Sequence, residues 1–542
     1  MGMIRTGILF AVALGLLAQG LIGYTPFPFG DDFAYAPLAE YHVNPALFPR
    51  DEQLRLFQNH AQVYEWLYRL GAAGPGVEVV FRVAVWALAA ASTVALMVIL
   101  NALGAPLATL PVVLGLGVVV RLGGIGRGDF GDLISPFFHH HNVALAFVLG
   151  AVAAAILRKS WLAGVLLGVA VYAQPMTAFH GAIVAGLGAL YRHPVEALKM
   201  AIAAGVVALP AAVPILGSIA GTPETPASID LIQDAYRFRA PVHYDPPWRD
   251  IGLATVYLLA GWSGVVLLAR EDRPAARFMA GVMTGFTLLH LVTVLVYKAE
   301  FSKWVGFFIL DANRSTPALF VLGPAVALTG LIRTRPGPVA WLCGLLLLSI
   351  LALNSTVAGL TLVALGGALF ALRNTPRAQP VVFVGLALAL FFLFPPDPDP
   401  PSLPSSTLRV LGKIRDETPP DALFVIPVGL SAFRHYTQRS AYVDFKLFSV
   451  AQPDQAALTR SRMEQVANPA PENRNARGWH AAQLWEEDQH SAATCARMKE
   501  LLEETGAEYY LRRVAVGETP PECGLLPTPI QSETLALYGP SG

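Results

Sequence analysis

The residues of this chain best equipped for chemistry gather at a few places. Gly30-Asp31-Asp32-Phe33-Ala34-Tyr35 sets two carboxylates side by side just after the first apolar run. Adjacent acids at a membrane boundary suit a general base or a cation ligand. The plainer reading is a helix N-cap with a solvated neighbour, because Asp is a favoured cap. A second cluster, Arg127-Gly128-Asp129-Phe130-Gly131-Asp132, is followed by His139-His140-His141. Asp129 and Asp132 with one histidine, His139, would offer a divalent metal oxygen and imidazole ligands, and a polar turn accounts for the same residues. Three adjacent histidines are not expected to face one point on a helix. The third group is cationic: Arg237, Arg239, Lys298, Lys303 and Arg314, the last within Asp311-Ala312-Asn313-Arg314-Ser315. An arginine there can clamp a phosphate with two parallel hydrogen bonds. It can equally snorkel to lipid headgroups, and both lysines allow the same two readings.

The elements that must position these groups are set by hydropathy. Of 542 residues, 54% are hydrophobic and 14% charged, and mean hydropathy is +0.51. A soluble chain needs roughly a quarter of its residues charged to cover its surface, so lipid is the expected solvent. With 38 basic and 38 acidic residues the net charge is zero, which leaves no global field to attract nucleic acid. A bilayer-spanning helix takes roughly 20 apolar residues. Runs of that kind lie near 5–23, 78–101, 105–121, 143–157, 161–174, 178–191, 199–219, 251–269, 276–296, 315–332, 338–353, 356–372 and 380–395, about thirteen spans. The first is expected to be an uncleaved helix rather than a signal peptide. Two hairpins are split at Gln174-Pro175 and at Asn354. Within or beside the runs, Glu78 and Arg82 are one turn apart and suited to pair. Polar groups inside spans, such as His180, mark function by default, although His290 is also explained by an interhelical hydrogen bond.

Orientation follows from the short turns. Arg158-Lys159, Arg192 with Lys199, Arg270/Arg273/Arg277, Arg333/Arg335 and Arg373/Arg377 occupy every second one. Placing these turns in the cytoplasm satisfies the positive-inside rule. The N-terminus is then inside. Loops 24–76, 122–142, 220–250 and 297–314 lie outside with everything after the last span. That puts Asp31, Asp32, Asp129, Asp132 and Arg314 on one face, where a single site can hold them. In the first loop Leu54, Phe57, Ala61, Tyr64 and Leu67 recur at helix spacing, as expected of a segment lying along the membrane surface.

The chain divides into a transmembrane domain, 1–396, and a soluble domain, 397–542, joined at the proline-rich stretch 395–401, which is expected to be stiff. In the tail, Ala422–Pro427 and Ala441–Phe445 read as strands, Ala492–Glu504 as a helix ending at Gly506, and Tyr509-Tyr510-Leu511 as the start of a third strand. Strands alternating with helices point to a small α/β domain. In an oxidising compartment Cys495 and Cys523 are candidates for a disulfide.

Taken together, these features resemble the GT-C superfamily of polyprenyl-phosphate-dependent glycosyltransferases. The matching parts are Gly30-Asp31-Asp32 after the first span, the helical loop 51–70, the acidic second loop and the tail. A closer resemblance is to a bacterial GT-C-like group without assigned activity. It is carried by Asp31, Asn44–Asp51, Asp311–Arg314, Thr418–Pro427, Phe433-Arg434 and Tyr442–Lys446. The resemblance implies an α-helical polytopic membrane protein with a small extracytoplasmic α/β domain, placed in a bacterial inner membrane with the tail periplasmic. It also implies transfer of a sugar from a polyprenyl-phosphate donor to a glycan, lipid or protein acceptor. Asp31 or Asp32 would be the general base. Arg314, with Lys298, Lys303 or a histidine such as His141, would stabilise the departing lipid phosphate. Some members of the superfamily use a divalent cation, Mg or Mn, and Asp129, Asp132 and His139 would be its ligands. The chain departs from the pattern in having adjacent acids rather than a DxD triplet. Two other classes fit the same composition. A flippase for lipid-linked glycan would show inverted repeats with broken helices, which are not found. An assembly protein would present the tail, with Trp479, Trp485, Glu486, Glu487 and Asp488, to partners.

Overall fold

The structure is a computed structural model that describes residues 2–30, 32–56, 62–106, 109–110, 113–114, 133–220, 226–300, 310–334, 403–448, 453–515, 518–519, 521, 523 and 526–539. It resolves into two compact units. Unit 1 comprises Met1–Thr25, Val79–Pro214 and Asp245–Asp399, and unit 2 comprises Pro26–Glu78, Ile215–Tyr244 and Pro400–Gly542. The expected separate domain held only 397–542. Here the first loop and the segment around 215–244 fold with the tail. The contacts that join them are hundreds of residues apart, so no local pattern announces them.

Unit 1 is helical. Among the described residues, five helices are long and apolar enough to cross a membrane: Val77–Ala102, Pro194–Pro214, Trp248–Leu268, Arg273–Lys298 and Ala312–Thr334. Gly7–Gly20, His140–Ile156 and Ser160–Ala173 are shorter apolar helices. Most of the expected span 105–121 and all of 338–353, 356–372 and 380–395 lie outside the described residues. The break at Gln174 is physical. Its backbone is extended, its side-chain oxygen accepts the Met176 and Thr177 N–H groups, and Pro175 opens the next helix, Pro175–Arg192, where a missing N–H costs nothing. Without a hydrophobic drive between helices in lipid, close backbone approach does the packing. A Cβ at Gly281 would fall 2.2 Å from the Leu187 carbonyl oxygen, and one at Gly264 would fall 2.5 Å from that of Val326. Glycine is required at both crossings.

Unit 2 carries a five-stranded sheet in the order β2-β1-β3-β5-β4, with β1 Leu423–Val425, β2 Ser440–Ala441, β3 Tyr509–Arg513, β4 Leu526–Gln531 and β5 Leu535–Gly539. β1 pairs parallel with β2 and β3, and β5 pairs antiparallel with β3 and β4. The α/β expectation holds, with two corrections. β2 covers only the first residue of the expected strand Ala441–Phe445, because Asp444 turns inward to Arg434. The expected helix 492–504 begins at Cys495 and runs to Thr505, because Ala492 is the last residue of a preceding helix, Gly478–Ala492. Thr494 caps the second through the Arg497 N–H, and Gly506 ends it at φ +65°. Trp485 is fully buried in the core between these helices and the sheet. Cys495 and Cys523 are disulfide-bonded, with Cα atoms 5.3 Å apart.

The most demanding feature of unit 2 is a buried charge cluster. The Arg434 side chain is 0% exposed and lies between the carboxylates of Asp51 and Asp444. Its Nε donates to Asp51 at 2.6 Å, and Nη2 donates to Gln53 at 3.0 Å and to the Ala441 carbonyl at 3.1 Å. Asp51 also accepts the N–H groups of Leu54 and Ala441, both at 2.9 Å. Burial opposes the charge on Arg434, but the two carboxylates outweigh it and hold its pKa above the ordinary value. Burial also pushes the Asp444 carboxyl above its ordinary 3.8, against the pull of Arg434. A carboxyl raised on folding makes the folded state the better proton binder between the unfolded and folded values, so its contribution declines as pH rises through that window. Asp444→Asn should therefore flatten the loss of stability between about pH 4 and the folded pKa. Thermal melts followed by Trp485 fluorescence would show this, and an unchanged slope would refute it.

Candidate functional site

In unit 1 a small cleft opens where the helices His140–Ile156, Pro175–Arg192 and Arg273–Val292 meet the turn before Thr316–Thr334. Its polar lining is His141, Thr177, His180, Arg314 and Ser315, and Val148, Val184 and Phe286 line it on the apolar side. The turn that delivers Arg314 is tightly held. Asp311 has φ +46°, a left-handed conformation that Asp tolerates better than most residues, and it is 1% exposed. The Tyr297 hydroxyl accepts the Ala312 N–H at 3.0 Å, and the Leu310 carbonyl accepts from His180 Nε2 at 2.8 Å. The Arg314 guanidinium then bonds the Asp311 carboxylate and the His141 ring. Guanidinium N–H groups only donate, so the His141 nitrogen facing Arg314 carries a lone pair. The result is a cation aimed by two partners at the edge of an apolar layer.

The histidine run is organised against expectation. His139 is extended (φ −141°, ψ 131°) and precedes the helix that begins at His140. The three rings therefore stack, with centroids 4.6, 4.5 and 4.3 Å apart, and their nitrogens lie within 4.8 Å of one another. The helical rule failed because only two of the three residues are helical. This nitrogen-only set does not fit Mg or Mn, which favour oxygen. Asp129 and Asp132, the expected oxygen ligands, lie outside the described residues.

Asp31 and Lys303 also lie outside the described residues. Lys298 does not line the cleft; it pairs with Asp245 and sits 5.7 Å from the centroid of the Trp248 ring. Arg239 belongs to unit 2, where it lies over Phe445. His290 meets Thr255 of a neighbouring helix at 3.0 Å.

Asp32 lies in unit 2, in the first turn of the helix Asp32–Val43. It is 2% exposed, and its Oδ2 accepts the Phe29 N–H at 2.9 Å. Its charge reaches the Tyr64 phenol. Burial first, then the Asp32 charge, pushes that phenol well above its ordinary pKa, so Tyr64 stays a neutral donor. Sequence reasoning missed a second buried acid on the same helix. Glu40 accepts from the Tyr68 hydroxyl at 2.7 Å and lies 3.1 Å from His435 Nδ1. The signal was present: Tyr64 and Tyr68 are four residues apart on Gln62–Ala73, a spacing that puts both phenols on one face.

Comparison with known proteins adds the following. A family described as "Domain of unknown function (DUF6798)" matches residues 405–466. No curated protein sequence matches the chain. Among solved structures, the chain is similar to the Archaeoglobus fulgidus oligosaccharyltransferase tethered to an acceptor peptide, at 12% identity and TM-score 0.45, covering 94% of this chain and 69% of that one. It is similar to ArnT from Cupriavidus metallidurans bound to undecaprenyl phosphate, at 12% identity and TM-score 0.47, covering 99% and 98%. It is also similar to the arabinofuranosyltransferase AftD from Mycobacteria, at 14% identity and TM-score 0.47, covering 99% of this chain and 40% of that one.

Proposed function

We propose that this protein is an integral membrane glycosyltransferase of GT-C type, moving a sugar from a polyprenyl-phosphate-linked donor to an acceptor at the extracytoplasmic face of a bacterial plasma membrane. The observation that carries the reading is Arg314. It is an arginine at the mouth of an apolar span, aimed into a cleft by Asp311 and His141 rather than left to snorkel. Such a group suits an anionic headgroup whose tail lies against apolar helices.

In the reaction, the acceptor hydroxyl oxygen bonds the anomeric carbon and its proton passes to a carboxylate base, the role the resemblance implies for Asp31 or Asp32. The bond from that carbon to the phosphate oxygen breaks, and the lipid phosphate leaves with the electron pair. Arg314 meets the charge that develops on that oxygen, where electrostatic gain is usually largest.

The test uses purified protein in lipid with labelled polyprenyl-phosphate sugars. Wild type should transfer label. Arg314→Gln should lose about 10²–10³-fold in kcat while the protein stays folded and keeps its helical circular-dichroism spectrum. No transfer from any donor, or full activity in Arg314→Gln, would reject the proposal.

A further inference from the structure

His180 is 3% exposed and lines the same cleft as Arg314. Its Nε2 lies 2.8 Å from the Leu310 carbonyl oxygen. A carbonyl can only accept, so Nε2 carries the proton, and in the neutral ring Nδ1 presents a lone pair. Among the described residues, that buried Nδ1 has no hydrogen-bond partner. A buried acceptor left unpaired is costly, and the missing partner must be a donor.

This constrains which part of a lipid-linked sugar can sit there. The tail has no hydrogen-bonding groups. A phosphodiester offers only acceptor oxygens, which a lone pair repels and Arg314 attracts. The sugar alone brings O–H donors. We infer that His180 Nδ1 accepts a hydroxyl of the donor's sugar, making His180 a specificity-determining residue for the sugar while Arg314 holds the phosphate. The inference rests on the proposed reading of the cleft as the donor site.

Two kinds of lipid sharing one tail test this in nanodiscs: a polyprenyl monophosphate, and a panel of polyprenyl-phosphoryl hexoses and pentoses, the best binder also prepared as single-deoxy analogues. His180→Phe keeps the ring volume and cannot accept a hydrogen bond. It also removes the Nε2–Leu310 bond that helps hold the Arg314 turn, so it should weaken the sugar-bearing lipid about tenfold more than it weakens the bare monophosphate. One deoxy analogue should bind wild type about as weakly as the parent binds His180→Phe. His180→Gln, which retains an acceptor oxygen, controls for folding and should recover part of the loss. Equal weakening of both lipids would assign His180 to the phosphate and overturn the inference while sparing the donor site. Unchanged binding of both would overturn it as well. A wild type that binds neither lipid would reject the donor site itself, and the inference with it.

Discussion

Asp32→Asn should lower turnover by about 10²–10⁴-fold, the usual worth of a positioned general base, without unfolding the protein. The substitution is nearly isosteric at a site that is 2% exposed. An amide oxygen still accepts the Phe29 N–H that now bonds Oδ2. The Tyr64 hydroxyl, held as a neutral donor by burial and by Asp32, can rotate to accept from the new NH₂ group. What the amide cannot do is take a proton from an acceptor hydroxyl. The measurement is single-turnover transfer from labelled donor, with binding of the donor measured separately. Lost turnover with intact donor binding supports the assignment. Wild-type turnover in the variant would remove Asp32 as the base and shift attention to its neighbour Asp31.

Arg434→Leu should destabilise unit 2 by about 3–5 kcal/mol, the cost of removing one partner from a buried ion pair. The guanidinium contacts Asp51, Asp444, Gln53 and the Ala441 carbonyl at once. Leucine would leave two carboxylates facing each other in a space their backbone partners cannot neutralise. Arg434→Lys should recover only part of the loss, because an ammonium is a point charge and cannot reproduce the fork that bonds four partners. Chemical denaturation followed by Trp485 emission reports the difference. A loss below about 1 kcal/mol for leucine would place the cluster with weak surface pairs and contradict its burial.

These two sites differ in how far they could be read from the sequence. Asp32 was legible because it follows an apolar run and carries an ionisable group. The helices of unit 1 were legible because length and hydropathy suffice to identify them, and Gln174-Pro175 and Gly506 announced their own boundaries. Arg434 was legible only as part of a resemblance. Its partner Asp51 lies 383 residues earlier, and no periodicity connects them. The same long-range cluster shortened β2, since a residue expected to alternate along a strand was needed for an ion pair. The stacked histidines were misread for a local reason: the helix starts one residue into the run. The tautomer of His180 was not legible at all, because it depends on a carbonyl 130 residues away.

The interleaving of unit 2 also sets a timetable. Asp51 emerges early, and Arg434 is synthesised 383 residues later, on the order of 20–80 s at ribosomal rates of about 5–20 residues per second. For that interval the first loop has its acids but not the cation that neutralises them, so it cannot settle into its final packing. The loop that carries Asp32 is therefore completed last, by the arrival of the tail. A chain halted before residue 434 would insert its helices and still leave Asp51 without the cation it is buried against.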